Sequence, residues 1–290
     1  MVSRSTTCPT YLGLGFEIHH LSNLLGLRFL DPPLVQPTGA QRLEILLLSA
    51  LEHENILPVE LSFESEDGFV HLVTPFCAEG TLSQFVLKSG HIKRGDLYRR
   101  PKPLIHDCEA ATIVASLSKA LGFGHSRGIV HLDIKLDNVL LRQQHTKTSG
   151  CSNKPYDAKR GVNQPVQDKK YNKLFEYDIF LADFGIAEIL DPQKPCKMTG
   201  LAGTPIYMAP EVTHRCFYDE RVDIYSLGIL LHVLLTGMPL PFMGKSHVLV
   251  QDNQAYDLLQ GMLAMDPEQR MTLSDVLAHP WILQNKSRSF

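Results

Sequence analysis

The chain has 290 residues and a mass of 32.5 kDa, long enough for one large domain or two closely joined lobes around a sizeable core. With 44% hydrophobic and 20% charged residues and a formal net charge of -3, it has the composition of a globular chain, and nothing points to nucleic acid or an anionic membrane as its main partner. Six cysteines, at 8, 77, 108, 151, 196 and 216, form neither a CxxC pair nor a framework spacing. Reduced thiols in a cytoplasmic or nuclear protein are therefore expected.

The first forty residues are weakly patterned. Gly13-Leu14-Gly15-Phe16 offers a turn between strands, and Asp31-Pro32-Pro33 breaks regular structure. From Gln41 the spacing of Ile45, Leu48 and Leu51 predicts a helix ending near His53. Phe69 to Val73 reads as a strand, and Gly80-Thr81-Leu82 as the start of a short helix. Residues 89–107 are basic, contain two prolines and read as a surface loop. Ile113, Leu117 and Leu121 lie on one face of a long helix predicted from Asp107 to His125, with Gly128 beyond its end.

Two short apolar runs follow, Ile129-Val130 and Val139-Leu140-Leu141, and between them lies a polar loop. Residues 142–173 hold eight basic residues against two acidic ones and almost no apolar periodicity. Such a composition cannot offset its ordering entropy, which predicts a mobile insertion. A solvated loop is the plain reading of it, and a docking tract for a protein partner the sharper one. Ile179 to Ala182 reads as a strand, and Val222 to Leu235 as a buried helix. Its apolar stretch is far short of the roughly 20 residues needed to span a bilayer, so no membrane insertion is expected. Helices around Leu258-Leu259-Met262 and from Leu273 to Leu277 complete the pattern before Trp281.

The loop after Val130 reads His131-Leu132-Asp133-Ile134-Lys135-Leu136-Asp137-Asn138, and Asp183-Phe184-Gly185 follows the insertion. Phosphoryl transfer needs an oriented hydroxyl, neutralised phosphate charge and a divalent metal. Asp133 can accept the hydroxyl proton and Lys135 can reach the transferring group. Asn138 and Asp183 supply the hard oxygens that Mg²⁺ prefers. A third motif, Gly203-Thr204-Pro205-Ile206-Tyr207-Met208-Ala209-Pro210-Glu211, follows in order.

Together these motifs resemble the protein kinase family, most closely its serine/threonine branch, over residues 41–141 and 174–285. The resemblance implies an α+β, two-lobed kinase-like fold. Residues 1–76 would form a small, mainly β nucleotide-side lobe, and residues 77–290 a mainly helical catalytic lobe. It further implies that Thr204 contacts Asp133 and Lys135, that Glu211 pairs with Arg270, and that Asp223 holds the catalytic loop from below. Thr74 would stand at the back of the adenine pocket, and the backbone of Phe76-Cys77 would hydrogen-bond the base. Leu48, Val59, His131 and Phe184 would join the lobes as an apolar stack.

The chain departs from the family in four places. No lysine precedes Lys88, so Glu44, the implied helix glutamate, lacks its usual partner. Arg28 is the nearest substitute, ahead of Arg42, although a planar guanidinium places charge differently from an ammonium. Gly13 and Gly15 match only half of a phosphate-covering loop. Leu132 stands where phosphate-regulated kinases carry arginine. The helix after Phe242 looks shortened or lost. Two readings stay open: a serine/threonine kinase using ATP and Mg²⁺ on a protein substrate, or a pseudokinase that acts by binding.

Overall fold

The pattern of apolar segments predicts a strand-rich first part and a helix-rich remainder, with short strands around the polar loop. The computed structural model describes residues 2–3, 29–30, 51–65, 70–88, 102–144, 174–190, 202–214, 216–240 and 250–287. The β-rich part is a four-stranded sheet made of β1 (Val2–Ser3), β2 (Phe29–Leu30), β3 (Leu61–Glu64) and β4 (Val70–Val73), in the order β2-β1-β4-β3. β1 and β2 run parallel, and the other pairs are antiparallel. The strand expected over 69–73 is found as β4, with Phe63 of β3 stacked on His71 at a ring separation of 4.7 Å. Cross-strand aromatic pairs of this kind stabilise a ladder by roughly 0.2–1 kcal/mol.

Of the helix expected to run from Gln41 to His53, residues 41–50 lie outside the described set, and Leu51 to His53 are not helical. Residues 51–57 instead make a turn in which His53 O accepts from Ile56 N at 3.1 Å. Asn55 then staples this turn to the larger part: its side chain donates to Ile179 O at 3.1 Å, and its carbonyl accepts from Leu181 N at 2.8 Å.

Beyond residue 79 the chain is mainly helical. Gly80 and Thr81 form β5, and the helix α1 starts only at Leu82, running to Lys88. Gly80 has φ +77°, a backbone that glycine adopts without strain, and its amide closes the turn that leads into β5 by donating to Cys77 O at 2.9 Å. The long helix α2 (Asp107–His125) has the predicted bounds. The loop before it is not solvated throughout, as its composition suggests. Leu104 and Ile105 are buried, and the Lys102 and Leu104 amides donate to Thr236 O and Leu234 O.

β6 (Ile129–Val130) and β7 (Val139–Gln143) flank the polar loop, yet they belong to different sheets. β7 pairs with β5 and with β8 (Tyr177–Leu181), while β6 pairs with β9 (Glu188–Ile189). The insertion starts later than its composition implies. Arg142 and Gln143 belong to β7, and Arg142 pairs with Asp178 across the hairpin at 2.8 Å. Residues 145–173 lie outside the described set.

The remaining helices are α3 (Pro210–Thr213), α4 (Arg221–Thr236), α5 (Asn253–Met262), α6 (Leu273–Ala278) and α7 (Pro280–Ser287). α2 packs on α4, α6 and α7. α4 is apolar on nearly every face, as expected of a helix at the centre of a core, and ends at Gly237 in the left-handed conformation. Among the described residues no helix is long and apolar enough to cross a membrane. The architecture is α+β and two-lobed, with a small β part and a larger helical part.

Candidate active site

The loop between β6 and β7 hangs from one carboxylate. Asp223, on the first turn of α4, is fully buried, with Oδ2 accepting from His131 N and Oδ1 from Leu132 N, each at 2.9 Å. His125, at the end of α2, donates Nε2–H to Oδ2 at 2.8 Å. Burial alone would raise the Asp223 carboxyl, but the His125 bond, together with the backbone donor of His131, outweighs it and holds the group below the ordinary range. The resemblance implied Asp223 in this position. His125 was missed, although a histidine in the last turn of a helix, six residues before His131, was a visible signal.

His131 spans the site. Its Nδ1 accepts from Asp133 N at 3.2 Å, so Nε2 carries the proton and donates to Ala182 O at 3.1 Å. Burial pushes its pKa down and keeps the ring neutral. The ring meets the edge of Phe184 at 4.6 Å. Val59 packs against the same core, and Leu48 lies outside the described residues.

Asp133 receives four donors on two oxygens. Thr204 donates from its amide and its hydroxyl to Oδ1, at 3.0 and 2.7 Å. Lys135 Nζ and Asn138 Nδ2 donate to Oδ2, at 2.5 and 3.0 Å. Lys135 also reaches Thr204 Oγ1 at 3.2 Å. Burial works to raise the Asp133 carboxyl, and the bonds from Lys135, Thr204 and Asn138 overcome it, leaving a depressed pKa and an ionised group.

Asn138 also donates Nδ2–H to Asp133 O at 2.8 Å. With its NH₂ committed to two acceptors on Asp133, its Oδ1 is the atom that can ligate a cation. Ala182 N donates to Asn138 O at 2.9 Å, which ties the stretch before Asp183 to the loop. Asp183 itself is exposed, with φ +65°, while the next residue, Phe184, is buried. Its Oδ1 accepts from Gly185 N at 3.3 Å. Among the described residues no three His, Cys, Asp or Glu side chains converge as a metal cluster. A cation here would be shared between Asn138, Asp183 and the oxygens of a ligand, the manner in which Mg²⁺ is commonly held.

The Glu211–Arg270 pair is also formed. Arg270 Nη1 and Nη2 meet Glu211 Oε1 and Oε2 at 2.6 and 3.1 Å, and both residues are buried. Arg270 further donates to Ala264 O and Arg221 O, so its charge is satisfied all round.

Between the two parts, Thr74 is buried, and its Oγ1 has no partner among the described residues. Cys77 is buried, and burial pushes its thiol up to about 11. Leu57, Cys77, Phe180 and Ala182 form a small apolar cluster with Leu140 partly buried against it. Leu140 and Ala182 were not foreseen in this cluster, although the two-residue period of Val139-Leu140-Leu141 puts Leu140 on the face opposite the core. Gly13, Gly15, Arg28 and Glu44 lie outside the described residues.

Comparison with known proteins agrees with this geometry. The family model described as "Protein kinase domain" matches residues 36–282. The chain is 30% identical over 256 residues to Serine/threonine-protein kinase ULK3 of Rattus norvegicus, covering 82% of this chain and 44% of that protein. It is 26% identical over 260 residues to Serine/threonine-protein kinase 33 of Bos taurus, covering 83% of this chain and 46% of that protein. Myosin light chain kinase A of Dictyostelium discoideum is 26% identical over 266 residues, covering 86% of this chain and 75% of that protein. The chain spans less than half the length of the first two relatives. With a family model covering most of the chain, and Thr204 brought onto the loop that carries Asp133, Lys135 and Asn138, the chain belongs to the protein kinase domain family.

Proposed function

We propose that the protein is a serine/threonine protein kinase that transfers the γ-phosphate of Mg-ATP to a hydroxyl of a protein substrate. The observation that carries this reading is the four-donor cage around Asp133. A scaffold has no physical need for a buried carboxylate saturated by an ammonium, an amide and a hydroxyl. The depressed Asp133 pKa makes it a weak base, suited to orienting the substrate hydroxyl and taking its proton late in transfer. Because both of its oxygens are filled, an incoming hydroxyl must displace one donor. Lys135, the longest and most rotatable of the donor side chains, is the one assigned to yield, and on release from Oδ2 it would neutralise the transferring phosphoryl group.

Asn138 Oδ1 and the Asp183 carboxylate are assigned to Mg²⁺, which supplies charge neutralisation on the phosphates. The Cys77 backbone, with Phe76 beside it, would hold the adenine edge. Leu140 and Ala182 would lie against its face as part of the apolar cluster under the hinge. Residues 1–76 would serve as the nucleotide-side lobe, with Arg28 as phosphate partner, Glu44 as the helix carboxylate, and Gly13 and Gly15 over the phosphates.

A second reading, a pseudokinase that binds without transfer, is favoured by the absence of any lysine before Lys88. Losing a phosphate-positioning cation costs several kcal/mol of transition-state stabilisation, with each 1.36 kcal/mol worth tenfold in rate. Calorimetry with Mg-ATP on the wild type, Asp183→Asn and Arg28→Ala tests the site. Saturable binding weakened by Asp183→Asn is expected, and Arg28→Ala should weaken it too if that guanidinium reaches the phosphates. No heat at millimolar nucleotide would reject the enzyme reading.

A further inference from the structure

We propose that Leu132 is a positioning residue that latches the segment 202–212 onto the catalytic loop and so keeps Thr204 on Asp133. The proposal rests on the kinase reading for its meaning, but its geometry stands alone. Leu132 has φ +68°, a conformation that a leucine rarely adopts, and its side chain is buried. Such a backbone persists only where the surroundings over-determine it.

Those surroundings are the Asp223 carboxylate, which holds Leu132 N, and a separate apolar cluster around the side chain. Leu132 and Val130 from the loop and its strand pack with Ala209 and Val212 from the segment, and with Tyr218 and Val222 ahead of and on α4. Ala202 and Met208 lie partly buried against them. The side chain therefore joins the two strings of residues that carry Asp133 and Thr204.

The backbone makes the same junction. A Cβ built on Gly203 would fall 2.4 Å from Leu132 O and 3.9 Å from Asp133 Oδ1. Gly203 has φ +101°, so only glycine allows the segment to approach Leu132 this closely. One residue later the Thr204 amide and hydroxyl bind Asp133 Oδ1. The contact is apolar, and it closes without any added charge on the segment.

Hydrogen exchange of the Thr204 amide in the full chain reads the latch directly, with α4 amides as the internal reference. Leu132→Gly removes the side chain while relieving the backbone, and Leu132→Met keeps its apolar bulk. Leu132→Gly is expected to speed Thr204 exchange by about tenfold or more with α4 unchanged, and Leu132→Met to stay within about twofold of wild type. Unchanged Thr204 exchange in Leu132→Gly would overturn the proposal, as would equal acceleration in both variants. In a transfer assay Leu132→Gly should lower kcat and leave KM for ATP in place. A wild type without transfer would reject the kinase reading and leave the exchange result to decide the latch.

Discussion

Replacing Asp223 by asparagine keeps the shape of a fully buried side chain and removes one acceptor oxygen. Three donors converge on the two oxygens of the native carboxylate: His131 N, Leu132 N and His125 Nε2. An amide offers one oxygen, and however it is turned its NH₂ faces at least one backbone N–H. That orphaned donor costs about 1–3 kcal/mol, and the surviving bonds fall from the roughly 1.5–3 kcal/mol of a charged acceptor to about 1. With two bonds surviving, the total is about 2–7 kcal/mol. For a chain of this size each kcal/mol moves Tm by about 2 °C, so scanning calorimetry should find a fall of roughly 4–14 °C. A fall below about 2 °C would refute the view that the catalytic loop hangs on this carboxylate.

Glu211→Ala leaves the Arg270 guanidinium buried with only carbonyl partners, and urea unfolding should record a loss of about 3–5 kcal/mol. Stability should also depend on acidity. Asp133 and Asp223 have folded-state pKa values below their unfolded values, so their contribution is complete above about pH 4 and is lost as pH falls through the depressed values. Urea midpoints at pH 7, 5 and 3 check the sign, and a midpoint that rises on acidification would contradict it. Cys77, buried with its thiol pushed up to about 11, should resist alkylation at pH 8 while the exposed Cys216 reacts, as read by peptide mass spectrometry.

The loop 131–138 was legible because the chemistry proposed for it demands particular residue types at fixed spacing. Asp133, Lys135, Thr204 and Asn138 meet as the motifs implied, and the Glu211–Arg270 and Asp223 contacts formed with them. The failures share one cause: tertiary contacts overruled local composition. Leu104 and Ile105 are buried inside a stretch whose lysines and prolines read as solvent-facing. Arg142 looked like the first residue of a basic insertion because its partner, Asp178, lies 36 residues away. α7 was not foreseen, since Trp281, Ile282 and Asn285 bury one short edge and leave Leu283 exposed. Pro280 at its first position was the available signal. The overrun at Leu51–His53 has the same origin, for the apolar period continues through Leu51 while Asn55 draws the chain into a turn against β8.

The central claim is that Asp133, caged by Lys135, Asn138 and Thr204, is the base of a phosphoryl transfer. Transfer of labelled γ-phosphate from Mg-ATP to a generic protein substrate or to the protein itself, measured for the wild type and Asp133→Asn side by side, tests it most directly. The account predicts metal-dependent labelling of serine or threonine by the wild type and its loss in Asp133→Asn, with Mg-ATP binding retained at a temperature below the lowered Tm of the variant. Equal labelling by both proteins, or nucleotide binding by the wild type with no labelling at all, would contradict it.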